Sequence, residues 1–184
     1  MTNKLEIIPS VRELKHLKKA LATDCSVIQP SGAHIGNLKP IIEECHRQGK
    51  KVLVNHELVG GLGNSKTAFK MLKQYYHADW IIGSSVSRIH MYQNMGMYSI
   101  YKVVLVDSIS VENAIHSLKE IRFDAIELRP YYHALEFLPK FREYFDGDYY
   151  IAGFVNTIEK AREAKKAGFR GVMTSTIDLW GQEI

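Results

Sequence analysis

Polar and charged side chains recur directly after short apolar runs: Gln29, then Asn55, His56 and Glu57, then Ser84 and Ser85, Lys102, Glu127 and Arg129, Gly153, and finally Thr174, Ser175 and Thr176. Gathered in one place, two carboxylates, a lysine, an arginine and hydroxyls suit a small polyol phosphate. The carboxylates take its hydroxyls, the cations its phosphate, and backbone N–H groups the remaining oxygens. In that arrangement Glu57 and Glu127 hold hydroxyls, Lys102 and Arg129 hold phosphate, and Gly153, Thr174 and Ser175 bring backbone or hydroxyl donors close. A plainer reading stands beside it, in which Gly153 turns the chain and the three hydroxyls cap the segment Ile177 to Trp180. Phe154, where a second glycine would open the site, argues against phosphate.

Other chemistries have weaker claims. Lys102 can be read as a Schiff-base lysine, a phosphate or RNA contact, or a strand-end lysine reaching solvent. Glu57 and Glu127 could form an acid–base pair, but carboxylates at strand ends as often bind a hydroxyl or close an ion pair. His34 and His56 lack partners at metal-ligand spacing, so neither a metal nor a cofactor is required. Lys160, Lys165, Lys166 and Arg170, with Arg162, form a basic stretch suited to a solvated helix face or to an acidic polymer such as RNA.

Positioning these groups takes a regular scaffold, and the patterning supplies one. Runs rich in Val, Ile and Tyr alternate with segments of period 3.6, as expected for parallel strands joined by helices. Seven strands are predicted: 26–29, 51–55, 80–83, 98–102 with an extension to 106, 125–128, 149–152 and 171–174. Three helices show apolar faces: Leu38, Ile41, Ile42 and Cys45; Ala68, Met71, Leu72 and Tyr75; and Val111, Ala114, Ile115 and Leu118. Ser110 and the Asn156–Thr157 pair stand as N-caps, Glu159 follows Asn156 at capping-box spacing, and Gly49 and Gly168 mark helix ends.

The residues after the first predicted strand, "PSGAHIG", lack the G-x-G-x-x-G of a doubly wound nucleotide binder. The expectation is therefore a single α/β domain over residues 1–184: a shortened TIM-like (β/α) barrel of about seven βα units. Its eighth unit would be absent or replaced by an N-terminal helix carrying Val11, Leu14, Leu17 and Leu21.

Composition narrows the class. A hydrophobic fraction of 46% in 184 residues suffices for one core. No run approaches the ~20 apolar residues of a membrane helix, and the N-terminal stretch lacks a signal-peptide pattern. Cys25 and Cys45 read as reduced thiols, and the expected location is cytoplasmic, with no membrane partner. A net charge of +4 permits nucleic-acid binding without requiring it.

Several stretches, "HIGNLKPIIEECHRQGKKVLVN", "ELVGGL", "ADWIIGSS", "VLVDSISVENAI", "DAIELRP", "IAGFVNT" and "KAREAKKAGFRGVMTST", resemble in order and spacing the glycerol-3-phosphate-responsive antiterminator family, the glycerol uptake operon antiterminators. The resemblance implies a shortened barrel that binds an mRNA leader, prevents terminator formation, responds to glycerol 3-phosphate and has no enzymatic activity. The departures cluster at strand ends. The family's His-Val-Asp-Leu is Asn55-His56-Glu57-Leu58 here, Ser-Thr-Arg is Gly83-Ser84-Ser85, and Gln-Arg is Tyr101-Lys102. Leu-Pro-Gly is Arg129-Pro130-Tyr131, and Ala-Gly-Gly is Ala152-Gly153-Phe154. Arg129 is thus placed to compensate for the arginine lost after the third predicted strand. Two alternatives stay open: a barrel enzyme acting on a phosphosugar, and a divergent paralogue that has lost its ligand and only binds a partner. Self-association, and whether the ligand is still glycerol 3-phosphate, also stay open.

Overall fold

The structure, a computed structural model, describes residues 4–184; the first three residues of the expected domain lie outside it. Eight parallel strands run β1 (Glu6–Pro9), β2 (Val27–Ile28), β3 (Lys51–Asn55), β4 (Trp80–Gly83), β5 (Tyr98–Val104), β6 (Ala125–Arg129), β7 (Asp148–Ala152) and β8 (Gly171–Thr174). Their order, β1-β8-β7-β6-β5-β4-β3-β2, is that of a TIM-like barrel. The seam between β1 and β2 closes through a single parallel bridge, Ser10 with Gln29. There Gln29 N–H donates to the Pro9 carbonyl at 2.9 Å and Val11 N–H donates to the Gln29 carbonyl at 2.7 Å. Proline is tolerated at the end of β1 because the seam uses its carbonyl and needs no N–H.

The expectation of seven strands is corrected by β1. The eighth unit is neither absent nor helical, since Glu6–Pro9 pairs with Gly171–Thr174 in register. The N-terminal helical pattern shrinks to one 3-10 turn, Leu14–His16, and the short α1, Leu17–Leu21. Each of the seven expected strands is present with no end moved by more than two residues.

Strand parity divides the core in two. Ile8, Val27, Leu53, Ile82, Ile100, Ala125, Tyr150, Ala152 and Met173 fill the barrel, and Trp80 and Tyr98 pack against that cluster with rings 4.4 Å apart. The alternate residues face the helices α2 (Leu38–Arg47), α3 (Lys66–Gln74), α4 (Val86–Asn94), α5 (Ser108–Glu120), α6 (Tyr131–Arg142) and α7 (Ile158–Ala167). The expected faces of α2 and α5 are buried. That of α3 is rotated: Phe69 and Tyr76 join Ala68 and Leu72 inside, while Met71 and Tyr75 are exposed. Lys39 Nζ lies 4.1 Å from the Tyr75 ring on that outer face.

The cap of α5 lies a turn earlier than expected, whereas that of α7 falls within the expected Asn156–Thr157 pair. Asp107, not Ser110, is the N-cap of α5, with Ser110 completing the reciprocal box. Thr157 caps α7 by accepting from Lys160 N–H, so Asn156 and Glu159 do not form the box their spacing suggested. Gly168 ends α7 in the left-handed region, at φ 95°.

Candidate functional site

Parity also decides which strand-end residues face the barrel mouth. Leu53, Ile82, Ile100, Ala125 and Met173 point inward. Two residues further along, so do Asn55, Ser84, Lys102, Glu127 and Ser175, and beyond them Glu57 and Arg129. The register sets Lys102 directly beside Glu127 on adjacent strands. A contiguous row of polar groups therefore crosses β3, β4, β5 and β6.

Glu57 anchors one half of the row. Its carboxylate accepts from Ser84 N–H at 2.7 Å, from Ser84 Oγ at 3.0 Å and from Lys102 Nζ. Asn55 Oδ1 accepts from Glu57 N–H at 3.1 Å and so fixes the turn that delivers the carboxylate. Burial raises the pKa of Glu57, but the bonds to Lys102 and Ser84 outweigh it and hold the carboxyl down at about 2.

Arg129 and Glu127 form the other half. The guanidinium donates through Nε to one Glu127 oxygen and through Nη2 to the other at 2.8 Å. The Glu127 side chain is 0% exposed and that of Arg129 is 32% exposed. Desolvation acts against the guanidinium charge, yet the pairing with Glu127 prevails and raises its pKa. Glu127 thus has both oxygens engaged and serves to aim Arg129, which keeps N–H groups that Glu127 does not take.

Gly153 adjoins this pair. A side chain built on it would lie 3.6 Å from Pro130 Cα and 3.8 Å from Arg129 Cβ, and its φ of 72° lies in the region glycine favours. Its carbonyl accepts from Tyr131 N–H at 3.0 Å, tying the loops after β6 and β7 together. Phe154 is 73% exposed and so is not packed into the mouth. Ser175 is exposed at the end of β8.

Thr174 is used differently from its sequence expectation. It is buried, its hydroxyl donates to the Val155 carbonyl at 2.7 Å, and its own carbonyl accepts from Trp180 Nε1 at 2.9 Å. It faces away from the barrel and bolts the last loop in place. His56 also faces away, 4% exposed between Phe69 and Tyr92, and neither ring nitrogen has a protein partner. Desolvation lowers its pKa.

The basic residues expected to meet RNA are not brought together. Lys160 sits in the first turn of α7 at the mouth end, donating to the Phe154 carbonyl at 2.8 Å and Asn156 Oδ1 at 2.9 Å. Lys165 and Lys166 are in the last turn, and Arg170, 3.9 Å from Glu6, precedes β8 at the opposite end of the barrel. Among the described residues, no group of three or more His, Cys, Asp or Glu could hold a metal, and no helix is long and apolar enough to cross a membrane. The sequence reading missed the roles of Asn55 and Ser84, although the period-two pattern places both on the inward face with Glu57 and Lys102.

Residues 7–180 match the family model described as glycerol-3-phosphate responsive antiterminator. The chain belongs to that family. Among solved structures, it is similar to a glycerol uptake operon antiterminator-related protein from Thermotoga maritima, with 25% identity, TM-score 0.86, and coverage of 97% of this chain and 99% of that one. It is likewise similar to a glycerol uptake operon antiterminator regulatory protein from Listeria monocytogenes, with 26% identity, TM-score 0.87, and coverage of 95% and 94%. An uncharacterized Escherichia coli protein, YgcP, is 25% identical over 178 residues, spanning 95% of this chain and 91% of its own length.

Proposed function

We propose that this chain is a cytoplasmic regulator that binds the leader RNA of a glycerol-utilisation operon, prevents terminator formation there, and is gated by glycerol 3-phosphate or a closely related small phosphorylated ligand. Family membership supports the regulatory role. The observation that carries the ligand is the convergence of Lys102, Arg129 and Gly153 on one barrel mouth, with each cation positioned by its own carboxylate. Lys102 has three N–H donors and Glu57 takes one of them. Arg129 has five, and Glu127 engages its Nε and one Nη2 hydrogen. The remaining donors, with the Gly153 and Ser175 backbone, bind the phosphate, while Glu57 and Ser84 receive ligand hydroxyls.

Two features favour this reading over a phosphosugar-acting enzyme. A carboxylate held at about 2 is a weak general base near neutrality, and Glu127 is shut away behind Arg129 with both oxygens engaged. In vitro transcription through a leader terminator, with and without glycerol 3-phosphate, tests the proposal. Ligand-dependent read-through is expected. Read-through unaffected by protein and ligand contradicts the regulatory role, and turnover of a phosphosugar would favour the enzyme.

A further inference from the structure

Four large apolar side chains stand out from the rest of the described surface: Phe154 at 73% exposed, Val106 at 72%, Tyr132 at 65% and Ile109 at 63%. All four lie at the mouth end of three neighbouring strands. Val106 and Ile109 follow β5, Tyr132 is the second residue of α6 just after β6, and Phe154 follows β7. Four such side chains over three successive loops, interspersed with the exposed Asp107, Ser108, Asn156 and Thr157, exceed the scatter of single exposed hydrophobics expected on a monomer surface.

Phe154 gives the sector its meaning. Its φ of 66° is strained for a bulky residue, and the ring gains no burial in return. The strained loop is nevertheless held firmly, because Lys160 Nζ donates to the Phe154 carbonyl at 2.8 Å. The same ammonium lies 5.3 Å from the Tyr131 ring and 5.4 Å from the Tyr132 ring. One exposed aromatic ring, Tyr132, thus lies against a cation that also bonds the backbone of the loop carrying a second, Phe154. Strain maintained without internal gain points to an external contact.

An exposed ring against a cation, with a second exposed ring on the adjoining loop, suits stacked unpaired nucleobases and their phosphates, the means by which proteins take hold of single-stranded RNA. We infer that the Tyr132–Lys160–Phe154 rim is the surface on which this protein stacks the bases of a single-stranded RNA segment. The inference rests on the RNA-binding reading above and adds where the RNA sits. It also supplies a route for gating: Tyr132 follows Arg129 by three residues, Phe154 follows Gly153 directly, and Tyr131 N–H bonds the Gly153 carbonyl. An anion drawn to Arg129 and Gly153 therefore acts on the two loops that carry the rings.

The test uses RNA enriched on the full chain from a random-sequence library, assayed by fluorescence anisotropy as single strands and as duplexes. Phe154→Gly suits the backbone conformation and so leaves folding intact, which a thermal melt verifies. Phe154→Gly and Tyr132→Ala should each weaken single-strand binding by about 5- to 150-fold, the range for loss of one stacked base, and Phe154→Trp should restore it. Enriched RNA that binds both variants like wild type, or binds only as duplex, overturns the inference and leaves the RNA-binding reading standing. Binding lost in Lys165→Ala/Lys166→Ala but not in Phe154→Gly would move the RNA to the other end of α7. Self-association abolished by Phe154→Gly with RNA binding unchanged would assign the rim to a second copy of the chain. Failure to enrich any RNA overturns both readings.

Discussion

Replacing Arg129 with methionine removes both donors of the Glu127 carboxylate while keeping an unbranched aliphatic stem in the mouth. Glu127 is 0% exposed, so its two oxygens have no solvent to turn to. A hydrogen bond to a charged group contributes about 1.5–3 kcal/mol, and orphaning one partner of a buried ion pair costs roughly 3–5 kcal/mol. Arg129 keeps about a third of its surface exposed, so water entering where the guanidinium stood places the expected loss near ~3 kcal/mol. For a chain of this size that lowers the melting temperature by about 6–12 °C. Removing both charges, as Glu127→Leu/Arg129→Met, leaves no uncompensated group and should recover at least ~2 kcal/mol of the loss. Urea unfolding of the wild type, both single variants and the double variant at pH 7 gives the coupling energy directly. A cost below ~1 kcal/mol for Arg129→Met, or a double variant no more stable than Arg129→Met alone, would refute the arrangement in which a buried carboxylate aims this arginine.

Glu57 titrates at about 2 when folded and near 4.5 when unfolded. As pH falls the unfolded chain takes up the proton first, so the stabilisation is complete above 4.5 and is lost on descending toward 2. Glu57→Gln should flatten that part of a plot of urea midpoint against pH. His56 has the opposite chemistry and the same sign: its folded pKa is depressed, so the unfolded chain protonates first and stability falls as pH drops below about 6.5. His56→Leu should remove that slope and, by deleting a buried imidazole without partners, raise stability at pH 7 by about 1 kcal/mol in calorimetric melts. A Cβ on Gly83 would sit 2.1 Å from His56 Cε1. Gly83→Ala should therefore cost about 2–3 kcal/mol, and His56→Ala in the same chain should return part of it, as read by urea unfolding. Asp107→Ala removes the box at the start of α5 and should cost about 1 kcal/mol by the same measurement.

The barrel was readable in the sequence because short apolar runs, as expected of strands buried on both faces, alternate with helical segments, and the period of two along each strand puts Glu57, Lys102, Glu127 and Arg129 on one face. The Glu127–Arg129 pair stood in the sequence only as one alternative, an ion pair of a strand-end carboxylate with Lys102 or Arg129, although residues two apart on a strand point the same way. β1 escaped notice because Glu6–Pro9 has only two clearly apolar residues between a charge and a proline, while the following leucines mimic a longer helix. Its place depends on pairing with Gly171–Thr174, a contact more than 160 residues away in sequence. The face of α3 was misjudged because Phe69, Met71, Leu72, Tyr75 and Tyr76 offer apolar side chains all round, and only tertiary packing, such as that of Phe69 against His56 and Tyr92, selects among them. Thr174 looked like a ligand because hydroxyls at strand ends often bind one, yet it faces outward, where the Val155 carbonyl claims it. The scatter of the basic residues along α7 follows from the helix rise of 1.5 Å per residue, which carries Lys165 and Lys166 away from Lys160.

The central claim is that the mouth formed by Lys102, Arg129 and Gly153 holds a small phosphorylated polyol. Thermal melts of the full chain with glycerol 3-phosphate, glycerol and inorganic phosphate test it most directly. At 100 times its dissociation constant, a bound ligand adds about 2.7 kcal/mol, or a rise of about 5–11 °C. The account predicts that rise with glycerol 3-phosphate, a smaller one with phosphate, and loss of both in Lys102→Ala. Melts that stay unmoved by all three compounds, or that respond to glycerol 3-phosphate equally well in Lys102→Ala, would contradict it.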